Sequence, residues 1–389
     1  MPAALVLIAL ALVIGLLTLL DAKRARRLPA LSASDAWHSG PLVTIIIPAR
    51  NEAANLARCL DGALQQSYAP CAVIVVDDYS TDETPHILAR YAAQHPDRLH
   101  GVVGRPLPPG WVGKCNACYY GASRAKQSAW LLFLDADTAP APELVGALVA
   151  FAERHRLDAV SALPFNELHT LPEQLVLPLF YQFALVAFPL QKNLNPDTAP
   201  PNTVLANGQC LLVRSAAYWA IDGHAAVKDK VLEDVELARA LRRAGFRVGL
   251  ATAFDVIRVR MYRNFGEIAQ GLGKHATAGR RASGWRAFWA VTRMTLTVLA
   301  SPLLALAAAL NAATQPTPLA FLALVSAALA YGAQWAFWAW RYHAWYRLPR
   351  HLAWLVPLGW MLYLAIVIRS TTRVWLGRGV VWKERTYSS

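Results

Sequence analysis

Trp130-Leu-Leu-Phe-Leu-Asp-Ala-Asp-Thr138 runs five apolar residues straight into two aspartates. A short apolar run bounded by a turn signal reads as a strand buried on both faces. Two upstream runs have the same form: Val43-Thr-Ile-Ile-Ile47, followed by Pro48, and Ala72-Val-Ile-Val-Val76, followed by Asp77. Amphipathic stretches near 52–67, 83–94 and 115–127 lie between these strands. Strand and helix alternating in this way predict an α/β domain with a Rossmann-like, mostly parallel sheet covered on both faces. Such sheets bind ligands outside the carboxyl ends of their strands.

The flanks of this domain are of another kind. Pro2 to Leu20 carries no charge, and its 19 residues make a helix of about 28 Å at roughly 1.5 Å per residue, enough to span a bilayer core. Lys23, Arg24, Arg26 and Arg27 follow it, the reverse of a signal peptide's order. The expectation is an uncleaved anchor (1–22) with a cytoplasmic C-terminal flank. Leu171 to Leu190 is apolar but holds Pro172, Glu173, Gln174, Pro178, Gln182 and Pro189, and the motifs on either side of it need one side of the membrane. It is predicted to lie on the membrane surface as a helix or re-entrant segment.

A basic interfacial segment (276–293) then leads into a transmembrane region (294–368) with candidate spans at 294–310, 319–340 and 352–368. The positive-inside rule places 274–293 and 341–351 in the cytoplasm, which by simple threading puts the 369–389 tail outside. That tail holds Arg369, Arg373, Arg378, Lys383 and Arg385, so charge and threading conflict. Either 352–368, interrupted by Pro357, stops short of spanning, or the rule fails at this end; the basic tail favours the cytoplasm.

Composition agrees with a membrane component. The 389 residues are 56% apolar and only 16% charged, which excludes a disordered chain and an ordinary soluble enzyme. The net charge of +13 is concentrated after Ala240, where Lys and Arg are interleaved with Trp and apolar runs. That pattern suits anionic headgroups or phosphorylated substrates and not nucleic acid. Five cysteines, an odd number, imply no complete disulfide framework, and Cys115-x-x-Cys118 has no second pair or histidine to make a zinc site.

The residues able to do chemistry cluster where strands end. Asp135 and Asp137, at i and i+2 after the third run, are hard oxygen donors suited to Mg²⁺ or Mn²⁺ beside a diphosphate; alone, such a triplet is as well explained by turn capping. Asp77, Asp78 and Asp82 form one acidic turn, open to a helix-capping role or to a nucleotide's hydroxyls. Gly113-Lys114 at a helix start offers N–H groups and a cation to phosphate. Neither a P-loop nor a G-x-G-x-x-G is present, against a dinucleotide dehydrogenase. Glu233, Asp234 and Glu236 open a helix, where the macrodipole alone favours acids, yet an aspartate there is able to take a proton from an acceptor hydroxyl.

Taken in order, Pro48-Ala-Arg-Asn-Glu52, Val76-Asp-Asp-Tyr-Ser-Thr-Asp82, Gly113-Lys114, Asp135-Ala-Asp137 and Glu233-Asp234 resemble glycosyltransferase family 2, the inverting enzymes of the GT-A fold, over about 41–275. Ala206-Asn-Gly-Gln209, Met261-Tyr-Arg263 and Val380–Tyr387 resemble its membrane-bound lipid glycosyltransferases, the carotenoid (chlorobactene) glucosyltransferases first and the hopanoid-associated and ceramide enzymes further off. The resemblance implies a cytoplasmic GT-A catalytic domain anchored by N- and C-terminal transmembrane helices in the inner membrane. It implies that Pro48, Arg50, Glu52 and Asp78 line a UDP-sugar pocket, that Lys114 approaches phosphates or ribose, that Asp135 faces the ribose or the metal as part of the nucleotide-sugar site, and that Asp137 binds the metal. Asp234, beside Glu233, becomes the general base, and Asn207, Gly208 and Gln209 the acceptor region. The [QR]-x-x-R-W motif of processive relatives is replaced by Gly271-Leu-Gly-Lys-His275, which keeps a cation at Lys274 and loses the indole, favouring transfer of one sugar.

The expected function is hexose transfer, glucose first, from a UDP-sugar to a hydroxyl of a membrane lipid such as a carotenoid. The alternatives are a hopanoid, a polyprenyl phosphate or a glycan as acceptor, and, from another class, a transporter or non-catalytic membrane protein. Residues 301–340 contain no charged residue, and the acidic motifs fall outside the spans, which weighs against transport.

Overall fold

The computed structural model describes residues 2–26, 28–188, 200–376, 380–382 and 385–387, and within its long basic helix the side chains of 274–283, Lys274 among them, fall outside that description. Residues 189 and 190 of the expected surface segment also fall outside it. The chain divides into two compact units. One comprises Leu28–Glu167 and Pro189–Met261; the other comprises Met1–Arg27, Leu168–Phe188 and Tyr262–Ser389.

The chain opens with α1 (Pro2–Ala25) and then enters the sheet-bearing unit. Its strands are β1 (Ser39–Ala49), β2 (Ala69–Asp77), β3 (Leu99–Val103), β4 (Trp130–Leu134), β5 (Thr138–Pro140), β6 (Ala159–Leu163), β7 (Phe165–Asn166), β8 (Cys210–Arg214), β9 (Val248–Thr252) and β10 (Ile257–Val259). Its helices are α2 (Leu56–Leu64), α3 (Thr84–Gln94), α4 (Gly113–Arg124) and α5 (Leu144–Arg154) and, after α6 (Leu171–Ala187) of the other unit, α7 (Ser215–Ala220) and α8 (Glu233–Arg243). Seven strands form one sheet in the order β3-β2-β1-β4-β8-β6-β9. Every pairing in it is parallel except those of β8, which runs antiparallel to β4 and β6. A small second sheet, β5-β10-β7, lies beyond the end of β4.

Alternation explains why the strands are apolar throughout. Val43, Ile45, Ile47, Leu132 and Leu134 face one layer, packed with Leu56, Leu60 and Ala63 of α2 and Leu144 and Leu148 of α5. Ile46, Ile74, Val76, Leu131 and Phe133 face the other, against Ala117, Cys118 and Ala122 of α4 and Leu237 and Leu241 of α8. Each fully buried Ile or Leu contributes roughly 1.5–3 kcal/mol to this core. Gly121 lets α4 approach closely, since a Cβ there would lie 2.7 Å from Ile46 Cγ2. All five cysteines are free thiols.

The other unit is helical apart from a two-stranded antiparallel sheet, Val380–Trp382 with Arg385–Tyr387. After α6 its helices are α9 (Phe265–Thr295), α10 (Ser301–Thr314), α11 (Pro318–Tyr346) and α12 (Val356–Trp375), with a π-helical turn at Leu296–Ala300 joining α9 to α10. Among the described residues four stretches, Pro2–Ala25, Gly284–Thr314, Pro318–Tyr346 and Arg350–Arg373, are long and apolar enough to cross a membrane. Ala11, Ile14, Leu304, Ala308, Ala327 and Ala330 form the seam of α1, α10 and α11, where small side chains let helices close in. Helix α6 contains Pro178 and packs against α9 and α12. Its start is fixed by Glu173, which accepts from the Thr170 hydroxyl at 2.8 Å and from the His169 N–H at 2.8 Å.

Candidate active site

The site grows from the carboxyl end of β4. Five buried residues carry the chain to Asp135, and the turn that follows is pinned by Thr138, whose N–H and hydroxyl both donate to the Asp135 carbonyl, at 3.1 and 2.8 Å. The Asp135 N–H donates to the Gln209 carbonyl at 3.3 Å, so the last rung of the β4–β8 ladder sets its position. Lys114 arrives from the first turn of α4, whose start is tied down by Val112 N–H donating to the Lys228 carbonyl at 2.6 Å. Its ammonium lies 2.6 Å from Asp135 Oδ1 and 2.8 Å from Glu233 Oε1. Three elements remote in sequence, β4, α4 and the start of α8, therefore meet on one cation.

Asp234 completes the group. Its Oδ2 accepts from the Gly208 N–H at 2.7 Å, and its Oδ1 accepts from the Val235 N–H at 2.8 Å. Space at Gly208 is tight: a Cβ at that position would lie 3.1 Å from Lys114 Nζ and 3.3 Å from Asp234 Oδ2, so both side chains would have to give by a few tenths of an ångström. The loop before β8 holds itself in shape, with Asn207 Nδ2 donating to Gln209 Oε1 at 3.0 Å and the Gln209 N–H to Asn207 Oδ1 at 3.0 Å. Ser161 of β6 ties it to the sheet by accepting from the Asn207 N–H at 2.7 Å.

Charge at the site follows from burial. Desolvation, then the neighbouring Glu233, pushes the Asp234 carboxyl up to about 6, with Lys114 pulling the other way. Burial likewise raises Asp135 against the pull of Lys114. For Lys114 burial alone would favour the neutral amine, but Asp135 and Glu233 together hold it well above its ordinary value, so it is a permanent cation.

A pocket lined by Pro48, Lys114, Asp135, Gly208, Glu233 and Asp234 opens here. Of the residues singled out in sequence, it gathers these six. Arg50, Glu52 and Asp78 belong to an adjoining network where the loop after β1 is zipped to the turn after β2. Arg50 Nη1 donates to the Asp78 carbonyl at 2.7 Å, the Glu52 N–H to Thr84 Oγ1 at 2.8 Å, and the Ala53 N–H to Asp82 Oδ2 at 3.0 Å. Asp82 and Asp77 serve the turn: Asp82 Oδ1 accepts from the Thr84 N–H at 3.0 Å, and Asp77 Oδ1 from the Ser80 N–H at 3.2 Å. Asp137 is half-buried after β4 and does not line the pocket. Lys274 lies in α9, in the helical unit.

Sequence reasoning missed the pocket's underside. His224 is buried, its ring 4.8 Å from that of Phe133, and burial pushes it down to about 4, so it is neutral. Its Nδ1 is 2.9 Å from the Tyr218 hydroxyl, which also accepts the His224 N–H at 3.1 Å. A lone histidine carries no sequence pattern. Its role is set by folding that brings 218–224 under β4.

A model of the family described as Glycosyl transferase family 2 matches residues 44–217. The chain is 28% identical over 240 residues to the 4,4'-diaponeurosporenoate glycosyltransferase of Staphylococcus aureus (strain MRSA252), 61% of each chain being aligned, and the protein of that name from strain USA300 gives the same identity and coverage. The chain thus spans about three-fifths, 61%, of the length of the curated relatives it matches. Among solved structures, mannosyltransferase PcManGT from Pyrobaculum calidifontis, in complex with GDP-Man and Mn2+, is similar with a TM-score of 0.50 and 22% identity, covering 94% of this chain and 97% of that one. That likeness is one of fold.

Proposed function

We infer, from the glycosyl transferase family 2 domain that residues 44–217 form on a GT-A fold, that the chain is an inverting glycosyltransferase moving a hexose from a UDP-sugar to a hydroxyl of a membrane lipid. The observation that carries this reading is the meeting of Asp135, Glu233 and Asp234 around Lys114 at the carboxyl end of β4. The name of the Staphylococcus aureus relatives, with a carotenoid acid as acceptor, supports a carotenoid-like lipid here, and glucose is the hexose proposed.

In this mechanism Asp234 takes the proton of the acceptor hydroxyl as its oxygen attacks the anomeric carbon, and UDP leaves from the opposite face with the bonding pair. A carboxyl raised to about 6 is ionised at neutral pH and still a better base than an ordinary aspartate. The Gly208 N–H aims it. Glu233 is a positioning residue that keeps Lys114 beside Asp135, where the ammonium faces the donor's phosphates. Pro48, Arg50, Glu52 and Asp78 frame the nucleotide, Lys274 adds a cation for the leaving diphosphate, and Asn207-Gly208-Gln209 borders the acceptor.

Asp135 and Asp137 offer hard carboxylate oxygens, and no group of three or more His, Cys, Asp or Glu forms a metal cage among the described residues. That donor set fits Mg²⁺ or Mn²⁺, which take one or two carboxylates together with substrate phosphates. When bound, the ion neutralises charge on the departing diphosphate. The proposed location is the inner membrane, multi-pass, with the catalytic domain cytoplasmic; Lys23, Arg24, Arg26 and Arg27 after the first apolar helix support it.

The test is transfer from labelled UDP-glucose to extracted membrane lipid by the full-length protein in nanodiscs with Mg²⁺ or Mn²⁺. Asp234→Asn is expected to lose about 10²–10⁴-fold in rate while still binding UDP-glucose by calorimetry. Undiminished transfer by Asp234→Asn refutes the base assignment, and failure of the wild type to bind any UDP-sugar refutes the reading itself. Mass spectrometry of the labelled lipid identifies the acceptor.

A further inference from the structure

We propose that α12 does not cross the bilayer but forms the outgoing arm of a re-entrant hairpin, so that the chain crosses three times and its basic tail lies on the same side as the end of α1. The helical unit supplies its own depth markers. Helices α1 and α11 run parallel: the Thr18 hydroxyl donates to Gln334 Oε1 at 2.7 Å, and further along both helices the Arg26 guanidinium sits 5.2 Å from the Trp340 ring. Arg293, just before the apolar turn leading into α10, pairs with Asp21 at 2.6 Å. The ends of α1, α9 and α11 thus share one charged level, with Arg24 and Arg341 close enough to act on Asp21.

Beyond that level the chain turns back. Arg347, in the left-handed region at φ 54°, ends α11, and the Arg350–Leu355 turn folds along it, bringing Trp354 5.4 Å from Trp335 and 6.0 Å from Tyr331. This is re-entry of a short segment to a depth of a few helical turns, with Leu352 and Ala353 buried in protein as such backbone requires. Helix α12 then heads out. Trp360 Nε1 donates to Thr295 Oγ1 at 3.1 Å, and ten residues on the Ser370 hydroxyl donates to the Gly273 carbonyl at 2.7 Å. As α12 advances, its partner on α9 therefore recedes from 295 to 273, away from α10, the stretch that leads to the far side. Its main packing partners are α9 and α6, whereas α1, α10 and α11 pack chiefly on one another.

Length and charge agree with this path. The exposed apolar stripe of the hairpin is Trp354 (57% exposed), Leu358 (45%), Met361 (50%), Ala365 and Ile368 (63%). It covers about 21 Å of helix against a hydrocarbon core of roughly 30 Å. Exposed Arg369 and Arg373 continue the same face, so an apolar stripe passes directly into a basic one. That order fits acyl chains and then anionic headgroups of the near leaflet. With the tail on this side, Arg369, Arg373, Arg378, Lys383 and Arg385 join Lys23, Arg24, Arg26 and Arg27, and the loop between α10 and α11 carries no charge. The conflict between charge and threading disappears.

Single reporter cysteines in the full-length protein test this: Ser34→Cys after α1, Gln315→Cys between α10 and α11, and Ser389→Cys in the tail, each labelled with a membrane-impermeant maleimide in right-side-out and inverted vesicles and compared with unsubstituted protein. The expected result is that Ser34→Cys and Ser389→Cys label from one side and Gln315→Cys from the other. Labelling of Ser389→Cys together with Gln315→Cys, or of all three from one side, overturns the proposal. A nitroxide at Leu358→Cys is expected to be relaxed by lipid-dissolved oxygen at near-leaflet depth. Shielding of that label, as a second protein copy on this face would cause, overturns the lipid assignment.

Discussion

The base role proposed for Asp234 sets chemistry against the fold. An ordinary aspartate titrates near 3.8, and here burial and Glu233 lift it to about 6. A carboxyl whose folded value lies above its unfolded one contributes stability that is full below about 3.8 and is lost as pH rises through about 6. At neutral pH the ionised side chain is therefore a liability of about 1–3 kcal/mol. Under the proposed assignment the base works only when ionised, so kcat/KM should rise with pH through about 6 and level off above 7, measured as initial rates of transfer across pH 5–8. A pH profile flat between 5 and 7 contradicts the assignment. The acid pairs at 135/137 and 233/234 were legible in the sequence only through their order with the other motifs, because turn capping and the helix macrodipole account equally well for acids at strand ends and helix starts. Gly208 was legible only as part of a motif: its work is to donate one N–H and to leave no Cβ beside Lys114, and neither leaves a mark in spacing.

At the level of elements, β4, α4 and α8 are held together at the site by Lys114, and the ion bridge links their electrostatics. Lys114 lowers the proton affinity of both Asp135 and Asp234. Lys114→Met is thus expected to weaken donor binding and to move the acid limb of the rate profile above about 6, while Lys114→Arg keeps the limb in place; steady-state kinetics of both variants against pH decide it. An unshifted limb in Lys114→Met would mean that the ammonium does not reach the base. The strands that carry this site were readable: the runs at 43–47, 72–76 and 130–134 correspond to β1, β2 and β4. The sheet beyond β4 was not. Ala159-Val-Ser-Ala-Leu163 and Cys210-Leu-Leu-Val-Arg214 are five-residue segments without periodicity, and at that length a buried strand and a buried helix turn look alike. Nor does sequence disclose that β8 enters antiparallel between β4 and β6, because strand direction is fixed by long-range pairing that a five-residue apolar run does not encode. It matters to function, since β8 delivers Gln209 and Gly208 to the end of β4.

For the whole molecule, hydropathy found the apolar helices but could not tell a crossing from a hairpin, because the sequence length and composition of the whole Arg350–Arg373 stretch allow either, and only the folded chain shows how much of it faces outward. The distinguishing information is in side-chain pairs between helices far apart in sequence. Asp21 is the clearest: within α1 it reads as one acid before a basic cluster, and in the fold it is buried against Arg293, whose Nη2 also donates to the Leu17 carbonyl at 2.9 Å. Removing one partner of a buried ion pair leaves the other charge uncompensated, at a cost of about 3–5 kcal/mol. Asp21→Ala is therefore expected to lower the thermal stability of the detergent-solubilised protein, with Asp21→Ala/Arg293→Met recovering part of the loss, because the double variant removes the orphan charge of Arg293 while the buried Arg341, which also acts on Asp21, remains. The unfolding midpoint is read by loss of helical circular dichroism. If the single and double variants melt together, the pair is solvated and α1 is held by its alanine seam alone. If the single variant falls further than the double, Asp21 is the polar lock that sets the register of the first helix against α9, and the apolar faces of α1, α10 and α11 supply the adhesion without the alignment.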